Sequence, residues 1–243
     1  MRRVRFTPMG VFDPRIGERV GDVIHAGGAS YRLPDVRLLA PCTPSKIVCV
    51  GRNYAAHADE LGNDVPKRPL LFLKPPSAVI GPGEAICLPD SAEVHYEAEL
   101  AVVIGARCRR VRAAEAAEVI LGYTCLNDVS DRIAQTWETN WVRAKAFDTS
   151  APLGPDIVSP DEVEEPLHIV LRLNGEIRQD GWTNALIFPI PQLIEEITAR
   201  MTLEPGDVIA TGTPAGVGRL APGDVVEVTI DGVGTLRNPV VAD

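Results

Sequence analysis

Short apolar runs, bounded by glycine, proline or polar residues, are the commonest pattern along the chain and are typical of β-strands. Strands are predicted at residues 46–50, 71–74, 100–104, 123–126, 167–173 and 208–210. The Asn-Gly pair at residues 174–175 and the Asp-Gly pair at residues 231–232 predict hairpin turns. A Pro-Gly-Asp-Val unit begins at Pro205 and again at Pro222, each time ahead of a strand, which we interpret as turn punctuation.

Helical periodicity is restricted to a few segments. It is clearest at residues 192–201, where Leu193, Ile194, Ile197 and Met201 share one face. Shorter helices are predicted at residues 55–61, 113–120 and 130–139. Because no strand–helix–strand unit recurs, the predicted fold class is α+β, β-rich with a few helices.

The first 44 residues differ from the rest in their density of glycine and proline. Residues 20–24 and 29–33 predict two small strands around the glycine pair at residues 27–28, and Pro41 and Pro44 then interrupt the chain. We therefore expect a small β-rich lead-in at residues 1–44 and a main domain at residues 45–243.

Composition narrows the class of protein. The 243 residues carry a net charge of −9 without a long basic run, which argues against nucleic acid as a partner. The five cysteines form no Cys-x-x-Cys pair, which indicates reduced thiols and a cytoplasmic location. No apolar signal core follows the N-terminal arginines, and no apolar run approaches the roughly 20 residues needed to cross a membrane.

Two acidic residues, Glu97 and Glu99, directly precede the strand at residues 100–104. Residues two apart on a strand share a face, so the two carboxylates should lie side by side. A hard cation such as Mg²⁺ or Mn²⁺ would relieve their repulsion, although a strand end that faces water or an arginine also fits. Asp128 follows another apolar strand and is either a third oxygen ligand or a helix N-cap.

Other residues indicate acid–base and anion chemistry. His57 and Glu60 are three apart in a helical stretch, a spacing that lets the carboxylate orient the imidazole as a general base. Lys145 would pair with an anionic substrate or with the nearby Asp148. The Gly-rich loop at residues 211–218 offers backbone N–H groups and threonine hydroxyls to a carboxylate or phosphate, unless it is a plain turn.

Six segments occur together in an order that resembles the fumarylacetoacetate hydrolase family. They are Gly-Arg-Asn-Tyr-Ala-Ala-His-Ala-Asp-Glu at residues 51–60 and the segments at residues 72–75, 96–100, 127–130, 143–155 and 211–214. The match covers residues 45–240. One segment departs from the family pattern, since Asp131 stands where alanine is usual and Ile133 where aspartate is usual.

The resemblance implies a mixed β-sandwich or β-roll, a homodimer, and a small 2-oxo or 2-enol carboxylic acid as substrate. It implies that Glu97, Glu99 and Asp128 bind one Mg²⁺ or Mn²⁺ ion, and that His57, Glu60 and Lys145 are catalytic. Substrate binding is expected of Arg52, Tyr54, Gln135, Gly212 and Thr213.

Three reactions use such a site through a metal-stabilised enolate. The preferred interpretation is a 2-hydroxyhepta-2,4-diene-1,7-dioate isomerase or decarboxylase of aromatic-compound degradation. The alternatives are an acylpyruvate C–C hydrolase and an oxaloacetate decarboxylase. A hypothesis from another class is a non-catalytic protein that binds a metal or an anion, and it differs in having no need of an oriented base at His57.

Overall fold

A computed structural model of the chain describes residues 1–242. The N-terminal strands are β1 (Arg2–Pro8), β2 (Arg15–Val20), β3 (Val23–Ala26), β4 (Ala29–Arg32) and β5 (Val36–Leu39). The central strands are β6 (Ile47–Gly51), β7 (Leu70–Lys74), β8 (Val79–Ile80), β9 (Ile86–Leu88), β10 (Val94–Tyr96), β11 (Ala98–Ile104), β12 (Ile120–Asn127), β13 (Ser130–Asp131) and β14 (Ala151–Val158). The C-terminal strands are β15 (His168–Leu173), β16 (Glu176–Trp182), β17 (Val208–Ala210), β18 (Gly218–Arg219), β19 (Val225–Ile230) and β20 (Gly234–Ala242).

The helices are short and lie between these strands. The α-helices are α1 (Ala55–Glu60), α2 (Arg132–Trp137), α3 (Val142–Lys145) and α4 (Ile190–Arg200). Single 3₁₀ segments lie at Leu33–Asp35, Pro76–Ala78, Ala113–Val119, Pro160–Glu162 and Thr183–Ala185. Within residues 1–242, no helix is long and apolar enough to cross a membrane.

A 12-stranded sheet forms the largest layer, with the path β4-β3-β2-β1-β14-β12-β11-β17-β6-β7 and with β5 and β8 paired beside it. Strand β11 lies near its centre and is buried at every position, because both faces of the sheet are covered there. Its Leu100 and Val102 belong to the same core cluster as Ile169 and Leu171 of β15. The sheet therefore packs against a second layer that contains β15.

The second layer is a five-stranded sheet in the order β16-β15-β19-β20-β9. Strand β19 alternates between buried and half-buried residues, as expected for a strand with one face on the core. A small three-stranded sheet, β13-β10-β18, lies beside the two layers. Most pairings are antiparallel, whereas β6·β17, β9·β20 and β8·β14 are parallel. The predicted β-rich mixed fold with few helices is confirmed.

Several local predictions need correction. Residues 20–24 are not one strand, because Gly21 and Asp22 form the turn between β2 and β3. The predicted helix at residues 113–120 is a 3₁₀ segment, and the one at residues 130–139 is reduced to α2. Strand β14 was not predicted, since Pro152, Gly154 and Pro155 interrupt its apolar pattern, yet all eight of its residues are buried.

The predicted boundary at residue 44 stays a prediction. The first strand, β1, pairs with β14 of the large sheet through Arg2↔Val158 and Arg3↔Ile157, and it also pairs with β2 and β5. The lead-in therefore extends the main sheet at one end.

Candidate active site

A cavity of about 500 Å³ opens beside the small three-stranded sheet. Its walls come from the end of β6, helix α1, the β10–β11 junction, the segment after β12, helices α2 and α3, and the loop after β17. Most predicted site residues line it, namely Arg52, His57, Glu97, Glu99, Asp128, Gln135, Lys145 and Thr213. The structure thus brings together residues that are up to 161 positions apart in the sequence, from Arg52 to Thr213.

Strand pairing places three carboxylates next to one another. Glu97 joins β10 to β11 and Glu99 lies on β11, while Asp128 follows β12. The two strands are antiparallel, and the Asp128 N–H donates to the Glu97 carbonyl at 2.8 Å. All three side chains are buried, and one oxygen from each lies within 4.8 Å of the other two.

Lys145 at the end of α3 contacts two of these carboxylates. Its Nζ donates to Glu97 Oε2 at 2.7 Å, to Asp128 Oδ2 at 2.8 Å and to Ser130 Oγ at 2.5 Å. Arg132 of α2 pairs with the other oxygen of Glu97. Burial alone would raise the pKa of Glu97, but the charges of Lys145 and Arg132 outweigh it and hold that pKa well below its usual range. The alternative pairing of Lys145 with Asp148 is therefore wrong.

Lys74 contacts Asp128 from the interior of the protein. It is completely buried at the end of β7, and its Nζ lies 2.7 Å from Asp128 Oδ1. The same ammonium donates to the carbonyls of Ser150, at 2.7 Å, and Val129, at 3.1 Å. Asp128 is thus held between two lysines, and it does not cap a helix. The N-cap of α2 is Asp131, whose Oδ1 accepts from the N–H groups of Ile133 and Ala134.

Within residues 1–242, no lysine or arginine forms an ion pair with Glu99. Its Oε2 accepts the backbone N–H of Gly212 at 2.8 Å. Burial, followed by the negative charges of Asp128 and Glu97, raises its pKa well above the usual range. A hard divalent cation would supply the missing positive charge, and three convergent carboxylate oxygens are the donor set that such a cation prefers. The residues present therefore fit one Mg²⁺ or Mn²⁺ ion.

A histidine–carboxylate pair faces the same cavity. His57 is buried on α1, and its Nδ1 lies 3.3 Å from Glu60 Oε2, as the three-residue spacing predicted. Glu60 is in turn fixed by the Gly216 N–H, which donates to Oε1 at 3.0 Å. This leaves Nε2 of His57 as the nitrogen available to a substrate.

The Gly-rich loop at residues 211–218, predicted as either an anion-binding loop or a plain turn, makes hydrogen bonds to side chains of the site. Two of its N–H groups are used by protein carboxylates, Gly212 by Glu99 and Gly216 by Glu60. Both glycines have a positive φ, and a Cβ at Gly216 would lie 2.1 Å from the Arg178 carbonyl oxygen. The expected roles of Gly212 and Thr213 in substrate binding stay predictions.

Three predicted residues are not part of the cavity wall. Tyr54 is buried behind it, with its hydroxyl unpaired within residues 1–242, and burial raises its pKa. Gly212 lies behind Glu99, and Glu60 lies behind His57. Substrate contact with Tyr54 would require movement of this side chain.

The sequence interpretation assigned no role to Lys74 or Gln179. Gln179 of β16 is buried, accepts the Ala98 N–H through Oε1 at 2.9 Å and donates to Thr213 Oγ1 through Nε2 at 2.7 Å. It therefore joins the segment of Glu97 and Glu99 to the Gly-rich loop. The sequence did contain a signal for Lys74, because a lysine ends an apolar strand there. Gln179 lies in a polar hairpin strand of ordinary composition, so the sequence contained no signal for it.

Residues 46–241 match the family described as Fumarylacetoacetate (FAA) hydrolase C-terminal. The chain belongs to the fumarylacetoacetate hydrolase family. The structure of 5-carboxymethyl-2-hydroxymuconate delta-isomerase from Mycobacterium smegmatis is 47% identical, with a TM-score of 0.92 over 100% of this chain and 99% of that one. Oxaloacetate tautomerase YisK of Bacillus subtilis (strain 168) is 42% identical over 229 residues, which cover 88% of this chain and 76% of that protein.

A third relative has a metal ion in its structure. Maleylpyruvate hydrolase from Sphingobium sp. SYK-6, in complex with manganese(II) ion and pyruvate, is 35% identical, with a TM-score of 0.85 over 100% of this chain and 99% of that one. Relatives in the fumarylacetoacetate hydrolase family thus include an isomerase, a tautomerase and a hydrolase. The departures from the family pattern have a local explanation in this member, because Asp131 caps α2 and Ile133 is exposed on its outer side.

Proposed function

We propose that this family member is a divalent-metal-dependent isomerase that moves a proton along a 2-hydroxy-dienedioate, with 2-hydroxyhepta-2,4-diene-1,7-dioate as its substrate, and that the same site supports decarboxylation of related 2-oxo acids. The observation that supports this best is that the His57–Glu60 pair and the three buried carboxylates face one cavity. A proton shift next to a 2-oxo acid needs a positioned base and a way to stabilise an enolate.

Glu97, Glu99 and Asp128 would hold the Mg²⁺ or Mn²⁺ ion. When bound, the cation supplies stabilisation of the negative charge that develops on the enolate oxygen. Lys145 adds a second positive charge, and its hydrogen bonds to the buried carboxylates of Glu97 and Asp128 keep it in place. Burial alone would lower the pKa of Lys145, but the adjacent carboxylates of Asp128 and Glu97 raise it above its usual value.

His57 would carry the proton. The Glu60 carboxylate accepts a hydrogen bond from Nδ1–H of His57, which selects the tautomer whose Nε2 is unprotonated. Nε2 can then take a proton from one atom of the substrate and return it to another. Because Gly216 fixes Glu60, the base has a defined position relative to Glu99, which Gly212 of the same loop fixes. Gln135 and Thr213 would orient the substrate at the cavity wall.

Oxaloacetate is a second candidate substrate, favoured by the similarity to oxaloacetate tautomerase YisK. Conversion of its enol form to its keto form is the same kind of proton shift on a shorter diacid. The residues assigned to the isomerase would have the same tasks.

The function is tested by a proton NMR time course on purified protein with Mg²⁺, and again with excess EDTA. Samples would hold 2-hydroxyhepta-2,4-diene-1,7-dioate, enol oxaloacetate or an acylpyruvate. We expect a metal-dependent change in the double-bond pattern of the dienedioate. Release of pyruvate and an acid from the acylpyruvate alone would instead identify a C–C hydrolase.

The His57→Asn variant separates an enzyme from a binding protein. Loss of a positioned general base lowers turnover by about 100- to 10,000-fold. Retention of full turnover by His57→Asn would contradict the assignment of the base. If neither wild type nor His57→Asn turns over any of the three compounds, while both bind Mn²⁺ equally, a metal-binding protein would be the better description.

A further inference from the structure

The cavity wall presents both hydrogen-bond acceptors and unused hydrogen-bond donors. The part that contains Glu97, Glu99 and Asp128 presents carboxylate oxygens, which suit a cation. The wall also presents donors that no hydrogen bond within residues 1–242 uses, and these belong to Arg52, Gln135 and Trp141. Unused donors in a cavity wall suit an anionic part of a ligand.

Arg52 is the principal donor. It is half-buried between β6 and α1, and its guanidinium forms no ion pair or hydrogen bond with any other residue in the range 1–242. The acidic chain has a net charge of −9, so an arginine without a carboxylate partner inside a cavity is notable. A guanidinium in this position is a ready-made partner for a planar carboxylate, which it can bind through two parallel hydrogen bonds.

Backbone conformation marks the same region. Arg52 has φ 57° and Trp141 has φ 55°, and both are non-glycine residues in the left-handed region. Such conformations cost free energy and are concentrated at functional sites. The Trp141 ring stacks edge-on against Phe72, with 5.5 Å between ring centroids, and lies over Gly51 next to Arg52. The Lys145 ammonium lies 5.0 Å from the Phe72 ring centroid, so the two rings form an apolar surface that runs from Lys145 to Gly51.

Gln135 completes the set. Its Oε1 accepts from Arg132 at 2.9 Å, which leaves its NH₂ group to donate. Arg132 differs from Arg52, since its guanidinium is already paired with Glu97. Of the two arginines in the cavity wall, Arg52 is therefore the one available to a ligand.

We infer that Arg52 binds a second carboxylate, at the end of the substrate remote from the 2-oxo acid group, and so selects diacids over monoacids. This inference rests on the proposed function for the placement of the 2-oxo acid group at Glu97, Glu99 and Asp128. The Phe72 and Trp141 rings contact the carbon chain between the two carboxylates. Arg52 thus determines specificity, whereas His57 performs the proton transfer.

The test compares stable ligands that differ only at the remote end. Isothermal titration of Mg²⁺-loaded protein would measure Kd for 2-oxoglutarate against 2-oxopentanoate, and for 2-oxoadipate against 2-oxohexanoate. We expect wild-type protein to prefer at least one diacid by about 10- to 100-fold, the range for a hydrogen bond to a charged group. Arg52→Gln should remove that preference by weakening diacid binding, with monoacid binding unchanged.

Two further variants control for charge and folding. Arg68→Gln removes the same charge from an exposed residue outside the cavity wall and should keep the wild-type preference. Arg52→Lys keeps the charge without the planar fork and should retain an intermediate preference, even if Arg52→Gln folds poorly by thermal unfolding.

The outcomes separate this inference from the proposed function. Three results would each overturn the role of Arg52. They are the same diacid preference in wild type and Arg52→Gln, equal weakening of diacid and monoacid binding in the variant, and no diacid preference in wild type. Loss of the preference in Arg52→Gln would support that role, even if the NMR time course detected no turnover. Turnover with an unchanged preference would support the proposed function and overturn the inference.

Discussion

Lys74 is a charged residue in the interior of the protein, behind the three clustered carboxylates. Its ammonium lies 2.7 Å from Asp128 Oδ1 and also binds the carbonyls of Ser150 and Val129. It has no exposed surface, so it cannot reach a ligand in the cavity. Its task is to position Asp128 and to neutralise it.

Lys74→Met should therefore destabilise the metal-free protein. Removing one partner of a buried ion pair costs about 3–5 kcal/mol in free energy of unfolding. Because Lys145 still pairs with Asp128 at 2.8 Å, we expect the lower end of that range. Urea denaturation in EDTA would measure this, with the exposed Lys67→Met as the matched control. The double variant Lys74→Met/Asp128→Asn should recover part of the loss, and strict additivity would show that Lys74 does not act through Asp128.

Single residues also show how far the sequence could predict the site. The pairing of His57 with Glu60 and the proximity of Glu97, Glu99 and Asp128 follow from helix and strand periodicity together with the family resemblance. The contacts of Lys145 could not be derived, because its partners come from other elements that only tertiary folding brings within 3 Å.

Among the elements, the two Pro-Gly-Asp-Val turns have the same sequence but different surroundings. Asp207 of the first is completely buried and accepts the N–H groups of Ser45 at 2.9 Å and Glu204 at 2.8 Å, and it also pairs with Lys46. It thereby joins β17 to the start of β6. Asp224 of the second is partly exposed and accepts the Ala221 N–H at 2.7 Å.

Asp207→Asn should cost more stability than Asp224→Asn, by about 1–3 kcal/mol at pH 7, because buried donors lose an ionised acceptor. Burial alone would raise the pKa of Asp207, but the N–H of Glu204 and the side chains of Lys46 and Ser45 lower it below its usual value. The ionised form therefore adds stability above the unfolded pKa of about 3.9, and this is lost as pH falls through the lower folded pKa.

Urea denaturation of wild type and both variants at pH 7, 5 and 3 would test this. The wild-type advantage over Asp207→Asn should be similar at pH 7 and 5 and smaller at pH 3. A difference between the two proteins that grows on acidification would contradict the assigned role of Asp207.

Elements also differ in how well the sequence predicts them. Helix α4 and strand β11 were predicted because periodic or continuous apolar residues report burial directly. Strand β14 was missed because its prolines and glycine oppose strand formation locally, and only its position between β1 and β12 in the large sheet explains it. Local propensity was overruled by tertiary packing there.

For the whole molecule, the arrangement of strands could not be predicted from the sequence alone. Strand β6 pairs with β17 and β1 with β14, and no local pattern connects segments that are so far apart along the chain. The apolar pattern predicted a β-rich α+β fold, and the family resemblance added a mixed β-sandwich or β-roll; the β-rich fold with few helices is confirmed. The homodimer that the resemblance implies stays a prediction.

Metal binding should stabilise the whole fold. A ligand that binds only the native state at 100 times its Kd adds about 2.7 kcal/mol to the free energy of unfolding. We expect Mn²⁺ to raise the Tm of EDTA-treated wild-type protein and to have much less effect on Asp128→Asn. Scanning calorimetry would measure both Tm values, with Mn²⁺ plus equimolar EDTA as the control. An equal rise in the Tm of both proteins would place the ion elsewhere.

The loop at residues 211–218 has a consequence for how this enzyme family can diversify. Through Gly212 and Gly216 it fixes Glu99 and Glu60 together, so the proposed reaction would depend on one short segment with little tolerance for change. Arg52, Gln135 and Trp141 line the same cavity but belong to other segments of the chain. If the proposed roles hold, mutation and selection could exchange substrates in a descendant of this chain while the residues proposed for proton transfer were inherited intact.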